Sequence, residues 1–179
     1  DFAYLQETVR QSAPGLTPKL TIPSPSMVHY RGGRAAIDED VSPDLELFWE
    51  DLAGAYAHQL RRMAEQGCTY LQLDDTSLAY LNDPAQREIV TSQGADAEHQ
   101  HERYIATINA AIAHRPSTLR VTTHMCRGNY RSSWAASGGY DFVAEALFSE
   151  LAVDGFFLEY DDERSGGFDG ADPIETAGS

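Results

Sequence analysis

Three segments of this 179-residue sequence end in side chains that can ligate metals, move protons or hold an ammonium group. The first is His124-Met125-Cys126. Imidazole nitrogen and thiolate sulfur both suit Zn²⁺, and i, i+2 spacing on a strand points the two the same way. The second is Gln72-Leu73-Asp74, where a carboxylate closes an otherwise apolar run. Burying that carboxylate is costly unless it is paired, so Asp74 reads as a salt-bridge partner, a cap or an anchor for a substrate ammonium. The third is Glu159, an oxygen donor that follows the apolar Phe156-Phe157-Leu158. By ligand type alone, His-x-Cys is more often a core histidine beside a packed thiol; Glu159 and the long loops at the strand ends bring a metal site level with that reading. Arg127, Arg131 and Arg164 could grip a substrate carboxylate through bidentate hydrogen bonds, or serve as solvated or ion-paired arginines. Asp75 alternates outward and reads as a loop cap. Cys68 lies six residues before Asp74, which on a strand is about 20 Å from the site, so it reads as a core thiol.

These residues need elements that bring them together. Residues 2–11 read as a helix ended by Pro14-Gly15, and 19–23 as a short strand. A Pro/Gly-rich stretch runs to about Val41. Ser42, Pro43 and Asp44 then read as N-cap, first helical position and first-turn acid. Leu45, Phe48, Leu52, Tyr56, Leu60 and Met63 recur at helical spacing over 43–66, and Gly67 stops the helix. A strand at 70–74 is followed by a long connection over 75–95. A helix over 96–114 buries Tyr104, Ile105, Ile108, Ala111 and Ile112. A strand over 119–126, a loop over 127–138, a helix over 140–151 and a strand over 155–160 complete the pattern. Residues 161–179 are acidic and Gly-rich, with 169–179 an irregular tail.

Strands alternating with helices predict βαβ units and a parallel sheet, in one domain spanning 1–179. Strand-to-helix connections are long and helix-to-strand connections short. Long loops at the carboxyl ends of parallel strands are where barrels and open α/β sheets build their sites. Alternation puts Gln72 and Asp74 on one face, Thr122, His124 and Cys126 on another, and Phe157 and Glu159 on a third, each opposite a more apolar face.

Composition narrows the partners. With 28 Asp+Glu against 13 Lys+Arg, the formal net charge is −15, and no basic stripe predicts a nucleic-acid partner. No apolar run approaches the ~20 residues of a membrane span, and no leader-like pattern opens the chain. Two cysteines do not make a disulfide framework, so a reducing, cytoplasmic compartment is expected.

The segments TIPSPS (21–26), YLQLDDTSLAYL (70–81), THMCRGNYRSS (123–133) and FFLEYDDERSGGF (156–168) resemble the cobalamin-independent methionine synthase family, most closely its short single-barrel relatives. The resemblance implies a (β/α)₈ TIM-type barrel, of which this chain would hold only part, since such a barrel takes ~250 residues. It implies zinc on His124, Cys126 and Glu159, with Asp74 on the substrate ammonium and Ser24, Ser26, Gln72, Asp74 and Asn129 around the substrate. It implies a methyltransferase of methionine biosynthesis, in which a thiol, homocysteine by resemblance, is activated as zinc thiolate. The methyl group would come from a folate or from a methyl-corrinoid, the latter on a partner protein. The Gln-x-Asp-Glu-Pro motif departs here to Gln72-Leu73-Asp74-Asp75-Thr76, and the family's further cysteine ligand has no counterpart. Two other readings follow: zinc-thiolate alkylation with a different thiol or electrophile such as an epoxide, and a catalytically incomplete barrel acting as a binding module. A partial barrel also exposes sheet edges through which copies could associate.

Overall fold

Leu71, Leu73, Val121, Thr123 and Met125 alternate with polar neighbours, and each is essentially inaccessible to solvent. That alternation sets which side of the sheet meets the helices. Burying each large apolar side chain contributes about 1.5–3 kcal/mol, so a one-residue slip of register would be strongly unfavourable. The computed structural model describes residues 2–131, 133–160 and 162–166.

In chain order the elements are α1 (Phe2–Ser12), β1 (Leu20–Pro23), α2 (Pro25–Tyr30), a 3₁₀ turn (Gly33–Ala36), α3 (Leu45–Glu65), β2 (Tyr70–Asp74), α4 (Ser77–Tyr80), α5 (Pro84–Ser92), α6 (Gln100–Ile112), β3 (Arg120–Met125), β4 (Asn129–Tyr130), β5 (Ser133–Trp134), α7 (Ala144–Glu150) and β6 (Gly155–Leu158). The main sheet runs β1-β2-β3-β6, all parallel, and β4 and β5 form a separate antiparallel pair. The fold is therefore mixed α/β with a parallel sheet. The strands described make a four-stranded sheet rather than a closed barrel.

Several expected boundaries shift for local reasons. α3 starts at Leu45 because Asp44, rather than Ser42, accepts the Glu46 N–H as its N-cap. The connection over 75–95 is not a loop: α4 and α5 fold within it, α5 capped by Asp83 ahead of Pro84. The stretch before Val41 holds α2 and the 3₁₀ turn, and β4 and β5 lie inside the expected 127–138 loop. The tail at 169–179 lies outside the described residues.

Paired residues in a parallel sheet point the same way, so the register aligns Pro23, Asp74, His124 and Phe157 in one row. The row below holds Thr21, Gln72 and Thr122. This face is more open: Phe157 is 45% exposed. The sheet curls toward it. The Lys19 ammonium, at the start of β1, lies 5.3 Å from the Tyr70 ring centre and 4.6 Å from that of Phe157 on β6. In a flat sheet those two edges would stand about 14 Å apart.

Candidate functional site

The carboxyl ends of all four strands of the main sheet lie on one side, so the residues just beyond them become neighbours. β2 and β3 place Asp74 beside His124, and His124 Nδ1 lies 2.5 Å from Asp74 Oδ1. A carboxylate accepts, so the imidazole donates from Nδ1, which in the neutral ring leaves the lone pair on Nε2. Both side chains stay partly open, His124 at 35% and Asp74 at 47% exposure. Cys126, two residues on, is half-buried and has no disulfide partner.

Asp75 departs from its expected position. It is fully buried, accepting hydrogen bonds from Ser26 Oγ (2.5 Å), Ser77 Oγ (2.7 Å) and the Leu78 N–H (3.2 Å). Its own N–H donates to the His124 carbonyl (2.8 Å). Strand alternation ends with β2, and the chain turns inward into α4. The carboxylate thus caps α4 as expected of a loop cap, but from inside the molecule, and ties the ends of β1, β2 and β3 together. Ser24 and Ser26 belong to the same network: both are fully buried, their hydroxyl oxygens are hydrogen-bonded at 3.0 Å, and the Ser24 N–H donates to the Asp74 carbonyl at 3.0 Å. They hold the β1–α2 turn against the site. Gln72 stands one row below Asp74 and His124, half-buried.

Glu159 directly follows β6, and its N–H donates to the Met125 carbonyl at 3.0 Å. Its carboxylate accepts the Arg127 N–H at 2.6 Å and forms an ion pair with Arg164. Arg127 does not meet the expectation of a carboxylate-binding arginine. It is fully buried, stacked 4.1 Å above the Tyr140 ring centre, and donates to the carbonyls of Gly138, Gly139, Ser165 and Glu159. Its charge organises the loops that rim the site. Arg164 is buried too and donates to Asn129 Oδ1 at 2.7 Å. Arg131 is exposed, with a left-handed backbone of φ 51°. Cys68 is buried, as its place before β2 predicts.

A cavity of about 680 Å³ opens beside Cys126, walled by Met27, Tyr30, Thr76, Tyr80, Gln86 and Asn129, among others. Tyr30 and Tyr80 meet edge to face, and the Tyr30 hydroxyl donates to Gln86 Oε1 at 2.7 Å. Gly128 sits on its wall at φ 71°, where a Cβ would lie 2.0 Å from the Tyr80 hydroxyl oxygen. Burial pushes the Tyr30 phenol well above its usual range, helped by the nearby Tyr80 and Asp83, so Tyr30 acts here as a neutral donor. Sequence reasoning missed this wall: α2 and α5, which supply much of it, fell within stretches read as irregular.

The donor chemistry fits a metal in part. A histidine whose second ring nitrogen is held by a carboxylate has the orientation that metal-binding imidazoles use. His124 and Cys126 supply such a nitrogen and a thiol. Glu159 is engaged with Arg164, and among the described residues no three His, Cys, Asp or Glu side chains converge as a metal-holding group.

Two curated Bacillus subtilis proteins, both given as uncharacterized, are similar to this chain. YxjH is 47% identical over 169 residues and YxjG 42% over 170, each match covering 94% of this chain and 43% of the relative. A crystal structure from Listeria monocytogenes, described as a "Putative Vitamin-B12 Independent Methionine Synthase", superposes with a TM-score of 0.66 at 41% identity. That match covers 90% of this chain and 45% of the other. The chain thus spans less than half the length of the relatives it matches. No family model matches it. Among the described residues, no helix is long and apolar enough to cross a membrane.

Proposed function

We propose that this chain carries part of the catalytic site of a thiol methyltransferase, in which a substrate thiol, homocysteine by resemblance, is alkylated to a thioether. The observation that carries the reading is the Asp74–His124 pair at the carboxyl ends of parallel strands, followed two residues on by the free thiol of Cys126, which lines a cavity. The likeness to the Listeria protein supports the same chemistry.

His124 Nε2 and the Cys126 sulfur would hold Zn²⁺, with Glu159 joining once it parts from Arg164. Further ligands would come from the rest of the polypeptide. The metal would lower the pKa of a substrate thiol, so that it is ionised at neutral pH. Asp74 keeps His124 in the tautomer that leaves Nε2 unprotonated. The Asp74 side chain is 47% exposed, and its second oxygen would accept from a substrate ammonium. The cavity walled by Tyr30, Tyr80 and Gln86 offers the methyl donor, folate or methyl-corrinoid, an approach to the thiol. In the transfer the substrate S–H proton leaves, an S–C bond forms, and the donor's bond to its methyl group breaks.

The test is conversion of homocysteine to methionine by the full-length protein with each donor. The reading predicts turnover with one of them and a loss of at least a hundredfold in Cys126→Ser. Full activity in that variant would overturn it.

A further inference from the structure

A second cavity, of about 640 Å³, is walled by the first turns of α3 and α6, by His29 of α2 and by the segment that joins α5 to α6. Its size is that of small-molecule sites, which are mostly apolar with a few placed polar groups. The two long helices follow the adjoining strands β1 and β2 and pack against each other. Among the described residues, only Gln93 also lines the cavity beside Cys126, and neither Asp74, His124, Cys126 nor Glu159 lines this one.

Two polar side chains of its wall are more than nine-tenths buried and incompletely used. Gln100 is 7% exposed, and its amide has no hydrogen-bond partner among the described residues. His29 is 4% exposed, with Nδ1 3.0 Å from Tyr104 Oη. The Tyr104 hydroxyl is buried, and among the described residues that nitrogen is its only hydrogen-bond partner. Leaving the hydroxyl proton undonated would cost the desolvation of an unpaired donor, so Tyr104 donates and Nδ1 accepts. Burial pushes the His29 pKa below its usual value and favours the neutral ring, whose proton then sits on Nε2. The unpartnered side-chain atoms wholly shut off from solvent are His101 Nδ1, Thr123 Oγ1 and Arg164 Nε among the described residues. His29 Nε2 and the Gln100 amide are not of that kind, so they open on the cavity that both residues line.

The charges around these donors select the ligand. Arg103 holds Glu46 through two hydrogen bonds, at 2.9 and 2.8 Å, and Arg34 donates to the Ser42 carbonyl at 2.8 Å and faces Glu39. Asp96 and Glu102 line the same cavity. An anion would meet N–H donors but no uncommitted cation, with acids close by, whereas an uncharged carbonyl uses the same donors without that cost. Leu45 and Trp49 supply an apolar wall for a flat ring. We propose that this cavity is a second binding site, for an uncharged planar carboxamide or lactam whose carbonyl accepts from His29 Nε2–H and whose amide edge pairs with Gln100. The site stands apart from the thiol chemistry given above and does not depend on it.

The experiment titrates the full-length protein with nicotinamide, benzamide and uracil by calorimetry, and with nicotinate as the anion of matching ring. At least one of the three uncharged probes is expected to bind saturably, and nicotinate at least about tenfold more weakly than nicotinamide or not at all. Gln100→Leu keeps the side chain's bulk and removes its amide, and is expected to weaken the bound probe at least about tenfold. Ala106→Phe, at an exposed position of α6 on the cavity wall, is expected to weaken it as much by occupying the space. No saturable binding by any uncharged probe at millimolar concentration overturns the inference. So does nicotinate binding as tightly as nicotinamide, or an affinity unchanged in both variants. Should Gln100→Leu not fold, Ala106→Phe decides: weaker binding there supports the site, and unchanged binding overturns it.

Discussion

At the scale of single residues, the decisive contact is the one between Asp74 and His124. It fixes which imidazole nitrogen is protonated and which way the ring faces, before any substrate arrives. Asp74→Asn can place its amide NH₂ toward the ring and so favours the wrong tautomer. Expected is a 10–100-fold loss of Zn²⁺ affinity by chelator competition, with the thermal midpoint little changed; an unchanged affinity would remove Asp74 from this role. Much of this was legible in the sequence. Period-two alternation put Asp74 and His124 each on its strand's polar face, and the residue types named the chemistry. The arginines were not legible. Arg127 and Arg164 sit in irregular segments and read as carboxylate-gripping, solvated or ion-paired; Arg164 is ion-paired, whereas the carbonyls that bury Arg127 come from Gly138, Gly139 and Ser165, distant in sequence. Asp75 was misplaced because alternation holds only as long as the strand does.

At the scale of elements, the site depends on short helices packed around strand ends. α2 is anchored by His29, which is buried, contacts Tyr104 Oη through Nδ1 at 3.0 Å and packs at a tilt against Trp49 with ring centres 4.7 Å apart. Burial pushes the His29 pKa below 6.5, and burial does the same to His101. The unfolded chain therefore binds more protons than the folded one in this range. The stability tied to these groups is fully present above pH 6.5 and is lost as pH falls from there toward the folded values. Urea unfolding at pH 7.5 and 5.5 is expected to show a stability loss that shrinks in His29→Gln; an equal loss in the variant would contradict the assignment. Gly128 is the second constraint at this scale. Alanine there meets both an unfavourable positive φ and the Tyr80 hydroxyl, so Gly128→Ala is expected to cost at least ~1 kcal/mol and to displace Tyr80 on the cavity wall. Adding Tyr80→Phe relieves the contact but not the backbone, so partial rescue is the expected result of denaturant titration. α5 could have been found in advance, since Asp83-Pro84 is an N-cap followed by proline at the first helical position. α4, at four residues, leaves too little periodicity to read.

At the scale of the whole molecule, the curled sheet presents an open polar face and two outer edges, on β1 and β6, that have no strand partner among the described residues. Unpaired edges are templates for pairing. The 179-residue polypeptide produced alone is expected to self-associate at micromolar concentration in sedimentation velocity, through these edges. A strictly monomeric 179-residue polypeptide would mean that the edges are protected. The partial barrel was an expectation from the family resemblance and from the ~250 residues such a barrel takes; the long strand-to-helix loops indicated only the side on which the site lies. What they could not supply is the curvature, which arises from the sheet's twist and is visible in Lys19 reaching both Tyr70 and Phe157.

In the proposed function, His124 and Cys126 hold a metal that activates a substrate thiol. X-ray absorption at the zinc edge of the full-length protein tests it most directly. The account predicts bound zinc with nitrogen and sulfur scatterers, one additional sulfur when homocysteine is added, and loss of one sulfur in Cys126→Ala. Zinc whose surroundings are the same with and without homocysteine, and the same in Cys126→Ala, would contradict it.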